Sequence, residues 1–252
     1  MTTHPTADRR QVSVIIPTLN EAESLPLLTR RLDEVRRVHD LDLEVLIMDD
    51  DSRDGTAEWV DGEAPSWVRL VVRTERPGLA QAVVDGIERA SHSSLIVMDA
   101  DVSHPAEKIP EMLSLLDQGC ELVIGSRYVG GGGTEEDWTL YRHLNSRVAT
   151  LLARPLTDIK DPMAGFLAFR KDLVKQGAPL DPVGFKIGLE LIVKCHVATA
   201  REIPIHFTVR RHGASKLTLK EHLRYLQHLA RLYRYRLGAG ARPRPGAYDP
   251  RS

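Results

Sequence analysis

The feature of this sequence that most constrains its fold is a regular alternation of short apolar runs with stretches of helical periodicity. The apolar runs span residues 12–16, 43–48, 68–72, 95–98 and 120–124. The stretches with apolar residues at helical spacing span residues 23–38, 56–59, 78–90 and 105–116. Strands that alternate with helices in this way predict an α/β fold, with a mostly parallel sheet flanked by helices. The chain has 252 residues, 42% of them hydrophobic, which suffices for one large domain or two small ones and excludes a disordered or fibrous protein.

Polar residues follow the predicted strands at the points where the strands end. They are Pro17, the three aspartates at 49–51, Asp99 with Asp101, and Arg127. Because open α/β sheets bind ligands at the carboxyl ends of their strands, these residues are expected to converge on one crevice. No G-x-G-x-x-G follows the first strand and no G-x-x-x-x-G-K-[ST] is present, so the dinucleotide fingerprint and the P-loop are excluded.

The pair Asp99 and Asp101, separated by Ala100, directly follows the buried strand at 95–98. Two carboxylates at this spacing can hold a divalent cation, and the cation can hold a diphosphate. The same residues also suit a turn and a helix cap ahead of Pro105, so both interpretations stand at this point. By the same reasoning, one of the aspartates at 49–51 is expected to cap the next helix.

The second half of the chain continues with predicted helices at 139–152 and 184–195 and predicted strands at 166–169 and 203–209. Four consecutive glycines, residues 130–133, lie between the two halves. Ordering such a run costs much conformational entropy, which favours a mobile loop or lid beside the site, with an inert linker as the alternative. The ten histidines show no metal-ligand spacing, and none is assigned a catalytic role.

A final helix is predicted over residues 218–237, followed by a disordered tail at 238–252. The helix carries an apolar stripe formed by Leu219, Leu223, Leu226, Leu229 and Tyr233. From Arg201 onward the chain has 12 Lys and Arg against 3 Asp and Glu, although the whole chain carries a net charge of only −1. This pattern fits a helix on an anionic membrane surface and fits equally a helix packed on its own domain. Its tyrosines lie within the helix rather than on a stacking platform, so a nucleic-acid partner is not expected.

The polar residues 1–11 are expected to be a flexible N-terminus without a secretory signal. No stretch approaches the roughly 18 apolar residues of a membrane span. Cys120 and Cys195 have no metal or redox spacing, which favours a reduced, cytoplasmic setting.

Six short motifs occur in order along the chain. They are IPTLNE at 16–21, DDDSRDGT at 49–56, MDAD at 98–101, GSRY at 125–128, DPMAGF at 161–166, and Arg210 with GASK at 213–216. Together they resemble the inverting family-2 glycosyltransferases of GT-A (Rossmann-like) fold, and more closely the polyprenyl-phosphate (dolichyl-phosphate) mannose synthases. The resemblance covers about residues 12–237 and implies a GT-A domain at 12–217 followed by the amphipathic helix.

The resemblance implies transfer of mannose from GDP-mannose to a polyprenyl (dolichyl) phosphate, with Mg²⁺ or Mn²⁺ as the cofactor. The residues implied for the nucleoside pocket are Pro17, Leu19, Glu21, Met48 and Asp50. Asp99 and Ala100 would contact the nucleotide, and Asp101 would ligate the metal. The cations implied around the diphosphate and the acceptor are Arg127, Lys186, Arg210 and Lys216, with Arg142 and Arg147 as candidates for the acceptor phosphate.

Two positions depart from the commoner family pattern. Leu19 replaces an aromatic residue, which puts base stacking in doubt. Ser103 replaces a glutamine that often supplies a second metal contact, and its shorter hydroxyl is expected to reach the metal only through water.

A phosphate monoester acceptor is already anionic near neutral pH, because its second pKa is about 6, so no dedicated general base is required. Two alternatives stay open: the same chemistry with UDP-glucose or another sugar nucleotide, and a non-catalytic membrane-associated adaptor of the same fold. Because the lipid acceptor lies in a bilayer, the protein is expected at the cytoplasmic face of a membrane, attached peripherally through the last helix and with a possible membrane-anchoring partner protein.

Overall fold

A computed structural model of the protein describes residues 9–134, 140–184, 186–207, 219–238 and 246–247. The strands in chain order are β1 (Arg10–Thr18), β2 (Leu41–Asp49), β3 (Val68–Val72), β4 (Ser94–Val97), β5 (Leu122–Ser126), β6 (Gly133–Thr134), β7 (Leu167–Arg170), β8 (Thr199–Pro204), β9 (His206–Phe207) and β10 (Gly246–Ala247). The helices are α1 (Leu25–Val38), α2 (Thr56–Gly62), α3 (Leu79–Arg89), α4 (Ile109–Asp117), α5 (Leu140–Ala153), α6 (Lys171–Gln176), α7 (Ile187–Lys194) and α8 (Leu219–Gly238). A 3-10 turn, Ala106–Lys108, leads into α4.

The central sheet has eight strands in the order β10-β8-β5-β7-β4-β1-β2-β3. All neighbouring pairs are parallel except those of β7, which is antiparallel to both β4 and β5. The expectation of a mostly parallel sheet flanked by helices is therefore confirmed. The reversed β7 brings its incoming chain, residues 161–166, to the edge where β4 and β5 end.

Both faces of the sheet are buried by helices, as expected for parallel strands with crossover connections. Along β1, Val14 and Ile16 belong to the core under α1 and α4, whereas Ile15 belongs to the core under α3. Gly86 lets α3 approach β1 closely, since a Cβ at that position would lie 2.5 Å from Cγ2 of Ile15. This packing fixes the helices against the sheet and holds the strand ends in place.

Two local predictions differ from the structure. The strand predicted at 203–209 begins earlier, as β8, and is interrupted at Ile205 before the short β9; Pro204, which has no N–H, ends β8. The expectation that an aspartate at 49–51 caps the next helix is wrong. The N-cap of α2 is Gly55, and Asp54 accepts hydrogen bonds from the backbone N–H and the hydroxyl of Thr56 instead.

The C-terminal helix α8 packs on the domain through one face. Leu229 and Leu232 are buried against α5 and α7. The hydroxyls of Tyr225 and Tyr233 donate to the backbone carbonyls of Ala149 and Leu152 in α5, each at 2.6 Å. The predicted apolar stripe is thus divided, because Leu223 and Leu226 remain about half exposed.

In the described part of the chain, no helix is both long enough and apolar enough to cross a membrane. Residues 1–8 and most of the predicted tail lie outside the described residues. Within that tail, β10 pairs with Thr199 and Ala200 of β8.

Candidate active site

A cleft of about 150 Å³ opens at the carboxyl edge of the sheet. It is lined by residues from the ends of β4 and β5, the entry to β7, the start of α7 and β9. Three of the residues predicted for the site, Asp99, Arg127 and Lys186, line this cleft together. The convergence expected from the strand ends is therefore observed for Asp99 and Arg127, and Lys186 joins them from the start of α7.

The two carboxylates after β4 have different surroundings. Asp101 is buried, and its Oδ1 accepts hydrogen bonds from the backbone N–H of Ser103, at 3.1 Å, and from the Ser103 hydroxyl. The Asp99 side chain is 23% exposed and faces the cleft. Between Asp101 and Ser103, Val102 has a φ of +63°, an uncommon conformation for a β-branched residue. The proposed turn at Asp101 is present, but the helix cap is not, since Pro105 precedes the 3-10 turn without a side-chain cap.

The oxygen atoms of this turn suit a hard divalent cation. Asp99, Asp101 and Ser103 supply two carboxylates and a hydroxyl, which are donors that Mg²⁺ and Mn²⁺ favour. Among the described residues, no cluster of three or more His, Cys, Asp or Glu side chains is assembled for a metal. A site with so few protein ligands is still compatible with Mg²⁺, because this cation is commonly held by one or two carboxylates together with substrate phosphates.

His104 is a cleft residue that the sequence reasoning did not assign. It is buried, its Nδ1 accepts a hydrogen bond from the Asp99 backbone N–H at 3.0 Å, and its Nε2 lies 3.9 Å from Asp99 Oδ2. The ring stacks on Phe166 with centroids 5.2 Å apart and meets Phe207 edge-on. A Cβ at Gly165 would lie 3.4 Å from both Asp99 Oδ1 and His104 Cε1. The signal in the sequence was its position three residues after the second aspartate, directly before Pro105.

Arg127 forms a two-pronged ion pair with Asp161, from the chain that enters β7. Its Nε and one terminal nitrogen each donate to the Asp161 carboxylate at 2.9 Å, and its backbone N–H donates at 3.1 Å. Burial disfavours the charged form of the guanidinium. The Asp161 carboxylate favours the charged form, as do Tyr128 and Asp99 to a smaller extent, and together they raise the pKa of Arg127. Asp161 has no exposed surface, and its own backbone N–H donates to Glu202. The site therefore holds a permanently charged guanidinium in a fixed orientation beside Asp99.

The residues predicted for the nucleoside pocket lie around the ends of β1 and β2. The loops after these strands are tied together, because Ser52 Oγ accepts from the Asn20 N–H at 2.8 Å and Asn20 Oδ1 accepts from the Arg53 N–H at 3.1 Å. Leu19 is 43% exposed beside this junction. The backbone carbonyl of Glu21 accepts from two N–H groups at the start of α1.

The side chains of Asp50 and Met48 are more deeply buried than expected for residues that line a nucleoside pocket. The Asp50 carboxylate accepts hydrogen bonds from the guanidinium of buried Arg73 and from the Gly78 N–H, the latter at 2.6 Å. Arg73 in turn donates to Asp85 at 2.9 Å. Met48 has no exposed side-chain surface and packs under α3. Asp50 thus links the end of β2 to the start of α3, beside the cleft residue Leu79.

Of the other predicted cations, the structure describes the side chain of Arg147. Arg147 is exposed on α5. Arg142 lies in the same helix, but its side chain is outside the described part of the chain, as are Arg210 and Lys216. The glycine run is described, and Gly133 pairs with His206 in a two-stranded sheet formed by β6 and β9.

Comparison with known proteins places this geometry in a family. Residues 13–177 match the model described as Glycosyl transferase family 2. A dolichol-phosphate mannosyltransferase of Pyrococcus furiosus is 41% identical over 230 residues, covering 89% of this chain and 64% of the relative. The chain thus spans less than two thirds of that relative's length. A Saccharomyces cerevisiae protein of the same name is 38% identical over 91% of this chain and 89% of its own. A polyprenol monophosphomannose synthase of Mycolicibacterium smegmatis is 36% identical over 81% of this chain and 80% of its own.

Solved structures of lower identity share the fold. The glucosyl-3-phosphoglycerate synthase of Mycobacterium tuberculosis has a TM-score of 0.63 at 19% identity, covering 92% of this chain and 82% of that one. The same enzyme in complex with Mn²⁺, UDP-glucose and glycerol 3-phosphate has a TM-score of 0.60 at 18% identity, over 92% and 81% of the two chains. The architecture is accordingly a GT-A-like fold. The family model matches more than half of the chain and the relatives exceed 30% identity, so the chain belongs to glycosyltransferase family 2.

Proposed function

We propose that the protein is a metal-dependent mannosyltransferase that moves mannose from GDP-mannose to a polyprenyl phosphate, giving polyprenyl-phosphate mannose. The observation that carries the proposal is the meeting of Asp99, Arg127 and Lys186 in one cleft, directly beside the buried Asp101. The names of the relatives, which describe dolichol-phosphate and polyprenol-phosphate mannosylation, support the sugar and the class of acceptor.

Asp101, with Asp99 and Ser103 beside it, would hold Mg²⁺ or Mn²⁺. When bound, the cation supplies positive charge that stabilises the departing nucleoside diphosphate. The hydrogen bonds from Ser103 orient the Asp101 carboxylate, and the contact of His104 with the Asp99 N–H fixes the backbone of the same turn. These contacts support the proposal, because they hold Asp99 at the cleft and Asp101 two residues further along the same turn.

Arg127 and Lys186 supply positive charge on the other walls of the cleft. Groups that stabilise the charge that develops on a leaving diphosphate lower the barrier most when they are already in position. The Asp161 fork holds the Arg127 guanidinium in such a position. Arg210 and Lys216 complete this set in the proposal.

The acceptor phosphate is the proposed nucleophile. A phosphate monoester attacks the anomeric carbon as an anion, so inversion needs no proton transfer to the enzyme. Arg127, with Arg142 and Arg147 on α5, is proposed to receive this phosphate, because guanidinium groups match phosphate geometry.

Access to a lipid acceptor requires contact with a membrane surface. Helices α5 and α8 adjoin each other and expose apolar side chains, namely Val148, Leu151, Leu152, Leu223 and Leu226. Exposed arginines, Arg147 and Arg224, lie on the same helices. Apolar residues flanked by cations suit peripheral binding to an anionic bilayer, proposed here at the cytoplasmic face, with a membrane-anchoring partner protein as a possible addition.

The direct test is a transfer assay with purified protein, a polyprenyl phosphate and a choice of donors. GDP-mannose with Mg²⁺ or Mn²⁺ is expected to yield lipid-linked mannose, and a chelator is expected to abolish the product. If only UDP-glucose yields a product, the proposed donor is wrong, but the proposed transfer to a polyprenyl phosphate is retained. If no donor is transferred although the nucleotide binds, the protein is an adaptor and the proposed activity is wrong.

A further inference from the structure

A buried polar cluster lies between α7 and α8, outside the groups that the proposed chemistry uses. Glu190 of α7 has no exposed surface. Its Oε1 accepts from the Asp181 backbone N–H at 2.6 Å and pairs with Lys194 Nζ at 2.7 Å. Among the described residues, its buried Oε2 accepts no hydrogen bond. A buried carboxylate with an unsatisfied oxygen is costly, and such groups call for an explanation.

His228 of α8 completes this cluster from the opposite side. It is 1% exposed, and its Nδ1 accepts from the Val183 backbone N–H at 3.4 Å and lies 3.7 Å from Glu190 Oε2. Asp181 and Val183 belong to the same short segment, which ends at Lys186. Two backbone N–H groups of that segment are therefore held by the side chains of two different helices.

The segment leads from this cluster into the cleft. The Gly184 carbonyl accepts from the Ala80 N–H at 3.4 Å, in the first turn of α3. That turn includes Leu79, which lines the cleft, and it begins beside Gly78, whose N–H donates to Asp50. Lys186 then enters the cleft at the start of α7. A shift of the segment would consequently move both Lys186 and a wall of the cleft.

We propose that His228 and Glu190 are positioning residues, which hold residues 181–184 and thereby set the place of Lys186 in the cleft. Through them, the docking of α8 on the domain determines how well the cleft binds a nucleoside diphosphate. A lysine has a long flexible side chain, so its contribution to binding depends on a fixed backbone. The inference rests on the proposed function only in taking a nucleoside diphosphate as the ligand.

The test compares two substitutions at His228 with a packing control on the same helix. His228→Leu removes the acceptor for the Val183 N–H, whereas His228→Asn keeps an acceptor near the position of Nδ1. Leu232→Ala is the control, because Leu232 is equally buried on α8 but takes no part in the cluster. Glu190→Met, with Glu190→Gln as its conservative partner, repeats the comparison from α7 and serves if His228→Leu does not fold.

The first readout is amide hydrogen exchange in residues 181–186, which needs no catalytic activity. His228→Leu is expected to speed exchange there, and His228→Asn to restore protection. Leu232→Ala is expected to lower the unfolding temperature while leaving this segment protected in the folded protein. Equal loss of protection in Leu232→Ala and His228→Leu would mean that packing alone holds the segment, and would overturn the proposal.

The second readout is the dissociation constant for GDP and for UDP in the presence of Mn²⁺. For whichever nucleotide binds the wild type, His228→Leu is expected to weaken binding about three- to tenfold, the effect of one lost hydrogen bond, and His228→Asn by less. Unchanged binding in His228→Leu would refute the link between α8 and the cleft. If the wild type binds nucleotide but transfers no mannose, the proposed function fails while this comparison still decides the role of His228.

Discussion

Within the turn after β4, neighbouring residues have separate tasks that follow from their surroundings. Asp101 is enclosed and oriented by Ser103, whereas Asp99 faces the cleft and is held through its backbone by His104. The same division of a rigid support and an exposed contact recurs at Arg127, whose partner Asp161 is fully buried. Asp99 and Arg127, the two partly exposed groups, are thus each held by a buried residue, the arrangement expected of preorganised sites.

Asp101→Asn tests the metal role at this scale. The amide keeps an oxygen that accepts from Ser103, so the fold is expected to survive, but it lacks the charge that holds a divalent cation. Transfer activity is expected to fall about a hundredfold or more, since a metal ion contributes several kcal/mol to charge stabilisation. Titration of Mn²⁺ in the presence of GDP measures the loss of metal binding directly. Asp117→Asn, at an exposed aspartate in α4, is the matched control, and equal metal binding by both variants would contradict the assignment.

Arg127→Lys keeps the charge but removes the two-pronged bond to Asp161. Because a lysine cannot present two parallel donors, the cation loses its fixed orientation. We expect kcat to fall about ten- to a hundredfold, with a smaller change in the KM for the donor. Steady-state kinetics measure both constants, and a wild-type kcat in this variant would show that the orientation of the guanidinium is unimportant.

Between elements, the direction of one strand and the contact of two helices decide what the cleft contains. The reversed β7 places Asp161 and Gly165 beside Arg127 and Asp99, and the α7–α8 contact lies behind Lys186. The meeting of Asp99 and Arg127 was predictable, because the carboxyl ends of parallel strands share an edge. The Arg127–Asp161 pair was not, because the apolar run at 166–169 carries no information on strand direction.

Other elements were underdetermined for physical reasons of the same kind. The apolar stripe of α8 has helical periodicity, which does not distinguish packing on a membrane from packing on a neighbouring helix. In the structure, Leu229 and Tyr233 pack on the domain, whereas Leu223 and Leu226 are exposed. The short α6 has too few residues for its periodicity to be recognised. Asp49 accepts hydrogen bonds from the Ser52 backbone N–H and hydroxyl rather than capping α2. The sequence does not decide between these roles, because a short polar side chain can bond either to its own loop or to a helix N-terminus.

The α7–α8 contact also predicts a pH dependence of stability. Burial lowers the pKa of His228 from its ordinary 6.5; Glu190 opposes the shift, Lys194 and Arg231 add to it, and the Lys186 backbone opposes it. The unfolded imidazole therefore takes up a proton at a higher pH than the folded one. The contribution of this group to stability is complete above about pH 6.5 and is lost progressively as the pH falls below that value.

Thermal unfolding between pH 7.5 and 5.5, on the order of one unit either side of that pKa, measures this effect. The unfolding temperature of the wild type is expected to fall more steeply with decreasing pH than that of His228→Asn. His39→Asn, at an exposed histidine following α1, is expected to retain the wild-type slope. Parallel curves for wild type and His228→Asn would contradict the prediction.

Over the whole molecule, charge and exposed apolar surface are distributed unevenly. The segment from Arg201 onward is basic although the chain as a whole has a net charge of −1, and α8 of this segment exposes Leu223 and Leu226. An anionic surface would therefore be attracted to α8, where the exposed Arg224 and Arg234 accompany apolar side chains that are available to enter it.

A double variant, Leu223→Ser with Leu226→Ser, is expected to reduce flotation with anionic liposomes by about tenfold or more, because burial of two leucines contributes on the order of 2–4 kcal/mol. Val38→Ser removes a comparably exposed apolar side chain at the end of α1 and is the matched control. Undiminished flotation of the leucine variant would exclude α8 as the attachment surface.

The place of β7 in the sheet has a consequence for how the protein is made. During synthesis, β1 to β4 can pair as soon as they leave the ribosome, but β5 joins them only through β7, which ends at Arg170. The chain between the end of β5 and the start of β7 forms a long loop, and closing it delays the pairing of these strands. Until then, β4 and β5 have unpaired edges. Until Arg170 has emerged, Asp99 and Arg127 of the nascent chain lie just beyond the ends of strands that are not yet joined. The nascent domain is therefore expected to need chaperones, which would shield the unpaired strand edges after β4 has been synthesised and before β7 has.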